Sequence, residues 1–137
     1  MTFLERKPED QRHVHYNKVT YVVRNRQAVP AKVEGKKQIY VVYVELDGKM
    51  EPIGVGETTH VPTRISGGYA WCIKTMKPDG STIIRWMQEE AIRRGNKLHF
   101  EVDFIEQVDA RQARTAESQH INSLIAMGYK HIKNRTR

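Results

Sequence analysis

The fold is decided by the stretch IYVVYVELDGKMEPIGVG, residues 39–56. Its first eight residues are rich in Val, Ile and Tyr, which is typical of a buried strand. Asp47 and Gly48 come next and predict a hairpin turn, because this turn needs a positive φ at both central residues. A second strand should then return to the end of the stretch, where Gly54 and Gly56 leave the backbone open to close approach.

A short helix should follow this hairpin at residues 60–65. Thr59 is a suitable N-cap, and Pro62 is tolerated only in the first turn of a helix. The Ser-Gly-Gly sequence at residues 66–68 should end the helix. We therefore expect residues 67–80 to form a long loop.

The rest of the chain predicts helix, strand and helix. A longer helix is expected at residues 81–94, where apolar residues recur at helical spacing: Ile84, Met87 and Ala91. Residues 98–104 alternate between apolar and polar, which is typical of a half-buried strand. A last helix is expected at residues 110–127, ended by Gly128. This order of elements predicts an α+β domain whose small sheet is covered by helices.

The chain is basic and has the length of one domain. It has 137 residues, a net charge of +7 and a sequence pI of about 9.6. This excess of positive charge favours an anionic partner, such as nucleic acid or an acidic membrane surface. The alternative is a basic surface that binds no partner. The first 37 residues hold nine Lys or Arg and four Asp or Glu, so residues 1–37 form a basic arm. Within it residues 20–23 are β-prone and are a candidate strand.

Other features bear on the compartment. The single cysteine, Cys72, excludes an intramolecular disulfide and a cysteine-based zinc site, which suits a reducing cytoplasm. No apolar run approaches the roughly 20 residues needed to cross a bilayer, and residues 1–10 lack the apolar stretch of a signal peptide. We expect a cytoplasmic protein with no membrane partner, of a size that suits a bacterial or phage protein.

Glu117 is unusual because it stands on the apolar stripe of the last helix. Four-residue spacing places it between Ala113 and Ile121. A carboxylate on an apolar face is costly unless it is paired or bound to a metal. Two interpretations remain open here: a glutamate at the edge of the stripe that reaches water or an arginine, which is the commoner case, or a metal ligand.

Arg64 and Tyr40 are two further candidates. Arg64 follows the glycine-bearing strand end, and an arginine can hold a phosphate through two parallel hydrogen bonds. Taken alone, an arginine on a solvated helix face is the commoner case. Tyr40 lies in the first strand, where a core tyrosine with its hydroxyl at the rim is the ordinary interpretation.

Taken in order, these motifs resemble the GIY-YIG nuclease superfamily. The resemblance covers about residues 38–134, and it depends on order and spacing because each motif is short. It is carried by Ile39-Tyr40, the hairpin, Gly54-Val55-Gly56-Glu57-Thr58-Thr59, Arg64, Arg93-Arg94-Gly95, the strand at 98–104, Glu117 and Asn134. It implies a GIY-YIG-like nuclease domain over residues 38–137. In that fold a small, mainly antiparallel three-stranded sheet is flanked by helices.

The resemblance also implies roles for the site residues. Glu117 would bind one Mg²⁺ or Mn²⁺, and Arg64 would neutralise charge on the scissile phosphate. Tyr40 would orient or activate water, and Asn134 would brace the site through hydrogen bonds.

Three positions depart from the family pattern. Gln38 stands in place of the first glycine of the motif, Gly54 in place of its second tyrosine, and Gly68 in place of a common histidine. The missing tyrosine leaves the water-activating group open. The candidate substitutes are Tyr69, Tyr43 and His60.

Several residues are candidates for nucleic-acid contact. Trp71, Lys74 and Lys77 fall in the expected loop, and the basic tail supplies Lys130, Lys133 and Arg135. For the tail, a merely solvated segment is an equal alternative. Trp86 is better explained by helix packing. His13 and His15 could face one side of a strand, where a solvated pair is the better interpretation than a metal site.

The sequence therefore predicts a metal-dependent endonuclease that hydrolyses phosphodiester bonds in DNA. RNA is a second substrate class that the sequence does not separate from DNA. One site of this kind cuts one strand, so cutting both would need a homodimer or sequential nicks. The alternatives are a catalytically impaired nucleic-acid-binding protein on the same fold, and a basic adaptor for an acidic protein.

Overall fold

A four-stranded mixed sheet forms the centre of the computed structural model, which describes residues 16–134. The strand order in the sheet is β1-β4-β2-β3. The strands are β1 (Lys18–Arg24), β2 (Lys36–Leu46), β3 (Lys49–Thr58) and β4 (Lys97–Asp109). Strands β2, β3 and β4 pair antiparallel, whereas β1 pairs parallel with β4.

Helices cover the sheet. In chain order they are α1 (Val61–Thr63), a π-helix (Arg64–Ala70), α2 (Trp71–Thr75), α3 (Thr82–Arg93), a 3₁₀ turn (Ala110–Gln112) and α4 (Ala113–Ala126). The α+β class predicted from the sequence is confirmed. No helix within residues 16–134 has the length and apolar character that crossing a membrane requires.

The expected three-stranded, mainly antiparallel sheet was incomplete, because β1 adds a fourth, parallel strand. This strand contains the β-prone residues 20–23 of the basic arm. Tyr21 stacks on Phe100 of β4 with 5.4 Å between ring centroids. Buried Asn17 fixes the start of the strand, since its side chain donates to the Ile73 carbonyl at 2.8 Å. These partners lie far away in the sequence, which gives no local signal of the pairing.

The hairpin between β2 and β3 is as predicted. Asp47 has φ 54° and Gly48 has φ 84°, so both central residues occupy the left-handed region. The free edge of β3 is covered by the segment after α4. There the Lys133 backbone N–H donates to the Ile53 carbonyl at 2.7 Å. This contact protects an edge that would otherwise present unpaired backbone groups.

The helix expected at residues 60–65 begins near its predicted start but does not end where predicted. His60, not Thr59, is the N-cap, and the helix runs on through Gly67 and Gly68 as the π-helix and α2. The expected loop at 67–80 was therefore wrong over residues 67–75. Tyr69 and Ile73 are buried in the core from this segment, and tertiary packing of this kind overrides the weak helix propensity of glycine.

Helix α3 matches its prediction closely. The Ser81 hydroxyl accepts a hydrogen bond from the Ile84 backbone N–H at 3.2 Å, which caps the first turn. Ile84, Met87 and Ala91 are fully buried, as their spacing predicted. This face packs with the π-helix and α2 in the larger of the two hydrophobic clusters. Helix α4 packs in the smaller cluster with residues of β2 and β3.

Candidate active site

A pocket of about 320 Å³ lies where β2, β3, the π-helix, α3 and α4 meet. Its walls include all four residues predicted from the sequence as the site, and a fifth that was a candidate substitute: Tyr40, Arg64, Glu117, Asn134 and Tyr69. These side chains come from separate parts of the chain. The structure therefore brings the predicted set together, although Tyr40, Arg64 and Glu117 each had a commoner structural explanation when taken alone.

Tyr40 forms the floor of the pocket and depends on a glycine opposite it. Its partner in β3 is Gly56, and the Tyr40 ring is almost fully buried. A Cβ added at Gly56 would lie 2.8 Å from Tyr40 Cε1 and closer still to Cζ and the hydroxyl. Glycine at position 56 is thus needed for the room that the ring occupies, since side-chain atoms do not pack at such distances.

Tyr69 is held beside Tyr40 by the π-helix. The Tyr40 hydroxyl donates to the Tyr69 hydroxyl at 3.1 Å, and the rings meet edge to face with centroids 5.9 Å apart. Burial raises the pKa of Tyr40 and raises that of Tyr69 well above its ordinary value of 10.0. Both phenols are therefore protonated near neutral pH, so they orient a ligand rather than accept a proton from it.

Gly54 has no space for the tyrosine that the GIY-YIG resemblance implies at its position. An added Cβ would lie 2.7 Å from Ile83 Cγ1 and closer to Cδ1, and 3.1 Å from Asn134 Oδ1. The second phenol of this pocket instead comes from position 69. Among the three candidate substitutes, Tyr69 lines the pocket, whereas Tyr43 and His60 do not.

Arg64 reaches the pocket across the face of Tyr69. Its guanidinium carbon lies 5.2 Å from the Tyr69 ring centroid, and Nη1 lies 4.0 Å from an Asp79 carboxylate oxygen. A Cβ at Gly68 would lie 2.7 Å from that same Nη1. Gly68 therefore leaves room for the arginine, where the resemblance implies a histidine. About a third of the Arg64 side chain stays exposed, so an anion can reach it.

Glu117 lies on the buried face of α4, as the four-residue spacing predicted. Only 5% of it is exposed, and Ala113 and Ile121 on either side are also buried. Burial is the main cause of the raised pKa of Tyr40, and the negative charge of Glu117 is a smaller cause that raises it further. The Glu117 carboxylate therefore influences the protonation of Tyr40. Arg114, one turn earlier, is exposed and lines the same pocket.

The pocket offers few protein ligands for a divalent metal. Within residues 16–134 there is no group of three or more His, Cys, Asp or Glu residues that could hold an ion. Glu57 also lines the pocket, but its carboxylate is paired with Lys37 at 2.8 Å. A Mg²⁺ ion commonly binds through one or two carboxylates together with waters and substrate phosphates. Glu117 in an open pocket fits that mode and does not fit an all-protein cage.

Asn134 joins the pocket wall to the edge of β3. Its side-chain N–H donates to the Val55 carbonyl at 2.6 Å, and its oxygen accepts from the Val55 backbone N–H at 3.3 Å. The amide thereby pairs with the backbone between Gly54 and Gly56, two positions without side chains. Asn134 therefore links the segment after α4 to this end of β3 through two hydrogen bonds.

Most of the candidate nucleic-acid contacts lie elsewhere. Trp71, Lys74, Lys77 and Lys130 do not line the pocket, and Trp71 is the first residue of α2 rather than part of a loop. Lys133 lies in a neighbouring groove with Trp86. Arg135, His13 and His15 lie outside the described residues.

Sequence reasoning missed several residues of the pocket wall, among them Arg114, Ser81 and Thr82. Arg114 had one available signal, since three-residue spacing places it on the same helix side as Glu117. Ser81 was interpreted only as a helix cap. No local pattern indicates that the start of α3 faces a pocket.

Comparisons with protein-family models, with curated proteins and with solved structures found no match to this chain.

Proposed function

We propose that the protein is a metal-dependent endonuclease that hydrolyses phosphodiester bonds in DNA, with a site of the GIY-YIG type. The observation that supports the proposal is that Tyr40, Arg64, Glu117 and Asn134 line one pocket. These are the four residues that the family resemblance selects. If each of these residues had only a structural role, nothing would require the four side chains to line the same pocket.

The chain's own groups suit the handling of a phosphate. Arg64 can form paired hydrogen bonds to phosphate oxygens, and Arg114, which also lines the pocket, adds a second positive charge. These cations neutralise charge that develops as a water oxygen attacks phosphorus and the bond to the leaving oxygen breaks. The Tyr40 and Tyr69 hydroxyls orient the water and stay protonated, because their pKa values are raised. The proton that the attacking water loses passes to bulk solvent, and the leaving oxygen takes a proton from solvent.

Glu117 would hold the metal ion. When bound there, Mg²⁺ or Mn²⁺ would polarise the phosphate and stabilise the leaving oxygen. Among the residues that line the pocket, Arg64 and Arg114 balance the charges of Glu57 and Glu117, so a bound metal ion would make the pocket positive and favour capture of a polyanion.

The alternative function is nucleic-acid binding without cutting. Two observations favour it: position 54 carries no hydroxyl, and both available phenols are protonated near neutral pH. Under this alternative the same cations would bind the backbone, and adding metal would release no product.

Incubation of supercoiled plasmid with the protein and Mg²⁺ or Mn²⁺ tests the proposal. Wild type should give nicked plasmid. Glu117→Gln and Arg64→Ala should each slow nicking by about 100-fold or more, the size of effect seen when one group that stabilises the transition state is removed. Glu51→Gln, which changes a half-buried carboxylate elsewhere on β3, is the matched control and should nick at the wild-type rate.

Each other result has a distinct meaning. Salt-sensitive binding of plasmid without nicking would support the non-cutting alternative. If the protein neither binds nor nicks plasmid, the remaining alternative is a basic adaptor for an acidic protein. Nicking by Glu117→Gln at the wild-type rate would remove the role given to that carboxylate. Labelled DNA and RNA strands in the same assay separate the two substrate classes.

A further inference from the structure

A second groove adjoins the candidate active site on the outer side of α3. Its volume is about 270 Å³, and it is lined by Thr82, Arg85, Trp86, Glu89 and Lys133. Thr82 lines this groove and the pocket alike. Lys133 is next in sequence to Asn134, which belongs to the pocket wall. The two hollows therefore share a wall at the start of α3.

Lys133 is held in a defined position within the groove. Its backbone N–H is bound to the Ile53 carbonyl at 2.7 Å, and its ammonium lies 4.8 Å from the centroid of the Trp86 ring. An ammonium at this distance over an aromatic face is attracted by the ring. The contact orders a side chain that would otherwise sample many rotamers. Trp86 thus positions the lysine, and its covered face is not the stacking surface for a base.

Arg85 supplies a second cation at the groove. It is exposed and lies three residues after Thr82, a spacing that brings side chains within about 5–6 Å at Cβ. Within residues 16–134, neither Arg85 nor Lys133 lies within 4.0 Å of a carboxylate oxygen. Glu89 is the one acidic residue of the groove wall, so the groove carries a net positive charge.

We propose that this groove is a phosphate-binding subsite for the nucleic-acid strand whose scissile phosphate occupies the pocket. Arg85 and Lys133 would bind a backbone phosphate next to the scissile one, and the Thr82 hydroxyl would lie between the two phosphates. The proposal rests on the proposed function for the identity of the strand. It names a location and two cations that the family resemblance does not assign.

The charge of the groove and its position beside the pocket support a nucleic-acid strand as the occupant. A strand advances about 3.4 Å per nucleotide along a duplex axis, so one helical turn of α3 covers one to two nucleotides. Two cations that form no ion pair with a carboxylate of residues 16–134 suit the regular negative charge of such a backbone. One of them is already ordered by Trp86, which reduces the entropy lost on binding.

Binding of a fluorescent DNA oligonucleotide in EDTA tests the subsite without cutting. Kd is measured by anisotropy at several salt concentrations for wild type and for the double variant Arg85→Ala/Lys133→Ala. The matched control is Lys49→Ala/Lys97→Ala, which removes two exposed lysines at the hairpin end of the sheet. Urea unfolding of both double variants checks that they are folded.

Arg85→Ala/Lys133→Ala should weaken binding by about 10-fold or more and lower the slope of log Kd against log salt. Each lost phosphate contact removes roughly 0.7–0.9 from this slope. The charge-keeping variant Lys133→Arg should retain most of the slope. The control should keep the wild-type slope, and polyglutamate should not compete at matched charge concentration.

Equal slopes for the two double variants would overturn the subsite, as would absence of DNA binding by wild type. Competition by polyglutamate as effective as that by unlabelled DNA would also overturn it in favour of an acidic protein. Failure of the proposed DNA cutting can be distinguished from failure of the proposed subsite. A protein that does not nick plasmid but loses salt slope in Arg85→Ala/Lys133→Ala retains the subsite without the endonuclease.

Discussion

The glycine just before strand β3 and the glycine near its other end are needed for different physical reasons. At the hairpin end, Gly48 has φ 84°, and a Cβ added there would meet nothing within 4 Å. At the pocket end, Gly56 has no left-handed φ, but an added Cβ would overlap the Tyr40 ring. The first glycine is required by its own backbone, and the second by a side chain of the neighbouring strand.

This difference explains why one end is readable from the sequence and the other is not. A left-handed turn is a local property, and Asp-Gly between two apolar runs predicts it directly. Space for an aromatic ring depends on pairing between strands and on the side chains that pack around them. Substitutions and changes of pH at the two ends, taken from the largest expected effect to the smallest, test this difference.

The largest effect is expected for Gly56→Ala. The new methyl group would displace the buried Tyr40 ring, and with it the hydrogen bond to Tyr69. We expect a loss of about 3 kcal/mol in the free energy of unfolding, at the upper end of overpacking effects. Urea unfolding followed by far-UV circular dichroism measures this loss, and any nicking activity should fall with it.

Tyr40→Phe in the Gly56→Ala background separates overpacking from simple loss of glycine. If Gly56→Ala costs as little as Gly48→Ala, the ring moves aside freely and the contrast between the two ends disappears. If removing the Tyr40 hydroxyl recovers part of the loss, overlap with that atom contributes to the loss, and the part that remains belongs to the ring carbons Cζ and Cε1.

A second effect is expected at high pH, because the pocket end buries two phenols. The folded-state pKa values of Tyr40 and Tyr69 are raised above 10.0, mainly by burial. Their contribution to stability is therefore complete below pH 10. It is lost as pH rises from 10 towards the folded-state values, since the unfolded chain releases these protons first. The loss amounts to at most about 1.4 kcal/mol per pH unit for each phenol.

Unfolding free energies of wild type, Tyr40→Phe and Tyr69→Phe at pH 9 and pH 11 measure this dependence. Each variant should lose less stability than wild type between the two values. Tyr43→Phe is the comparison nearer the hairpin, where a half-buried phenol should give a smaller change. Equal pH dependence of wild type and Tyr69→Phe would mean that the pocket opens and hydrates Tyr69.

Much of the fold could be predicted from the sequence wherever the signal is local. The hairpin, α3 and its buried face, and the inward position of Glu117 follow from turn chemistry and residue spacing. The parallel pairing of β1 and the helix through Gly67 and Gly68 could not be predicted. Both depend on contacts with residues distant in the sequence, such as Phe100 with Tyr21 and with Tyr69.

The same distinction between local signals and distant contacts applies to the candidate site. Tyr40, Arg64 and Glu117 could be selected because a motif order links them, even though no single spacing implies their meeting. Tyr69 could be named only as one of three substitutes, since its place beside Tyr40 depends on the π-helix. Arg85 and Lys133 share a groove because the segment after α4 returns to β3, which sequence spacing does not reveal.

The smallest effect is expected at the hairpin end, where the side chain itself is not the difficulty. Gly48→Ala should cost about 1 kcal/mol, because only the left-handed backbone conformation opposes it. Gly48→Asn should cost less than Gly48→Ala, since asparagine tolerates this conformation better than alanine. At position 56 the order should reverse, with asparagine worse than alanine, because a larger side chain adds to the overlap with Tyr40. Urea midpoints of the four variants measure both orders. Asparagine better tolerated than alanine at both positions would show that backbone conformation governs both ends of β3, and the role of Gly56 in making room for Tyr40 would then be wrong.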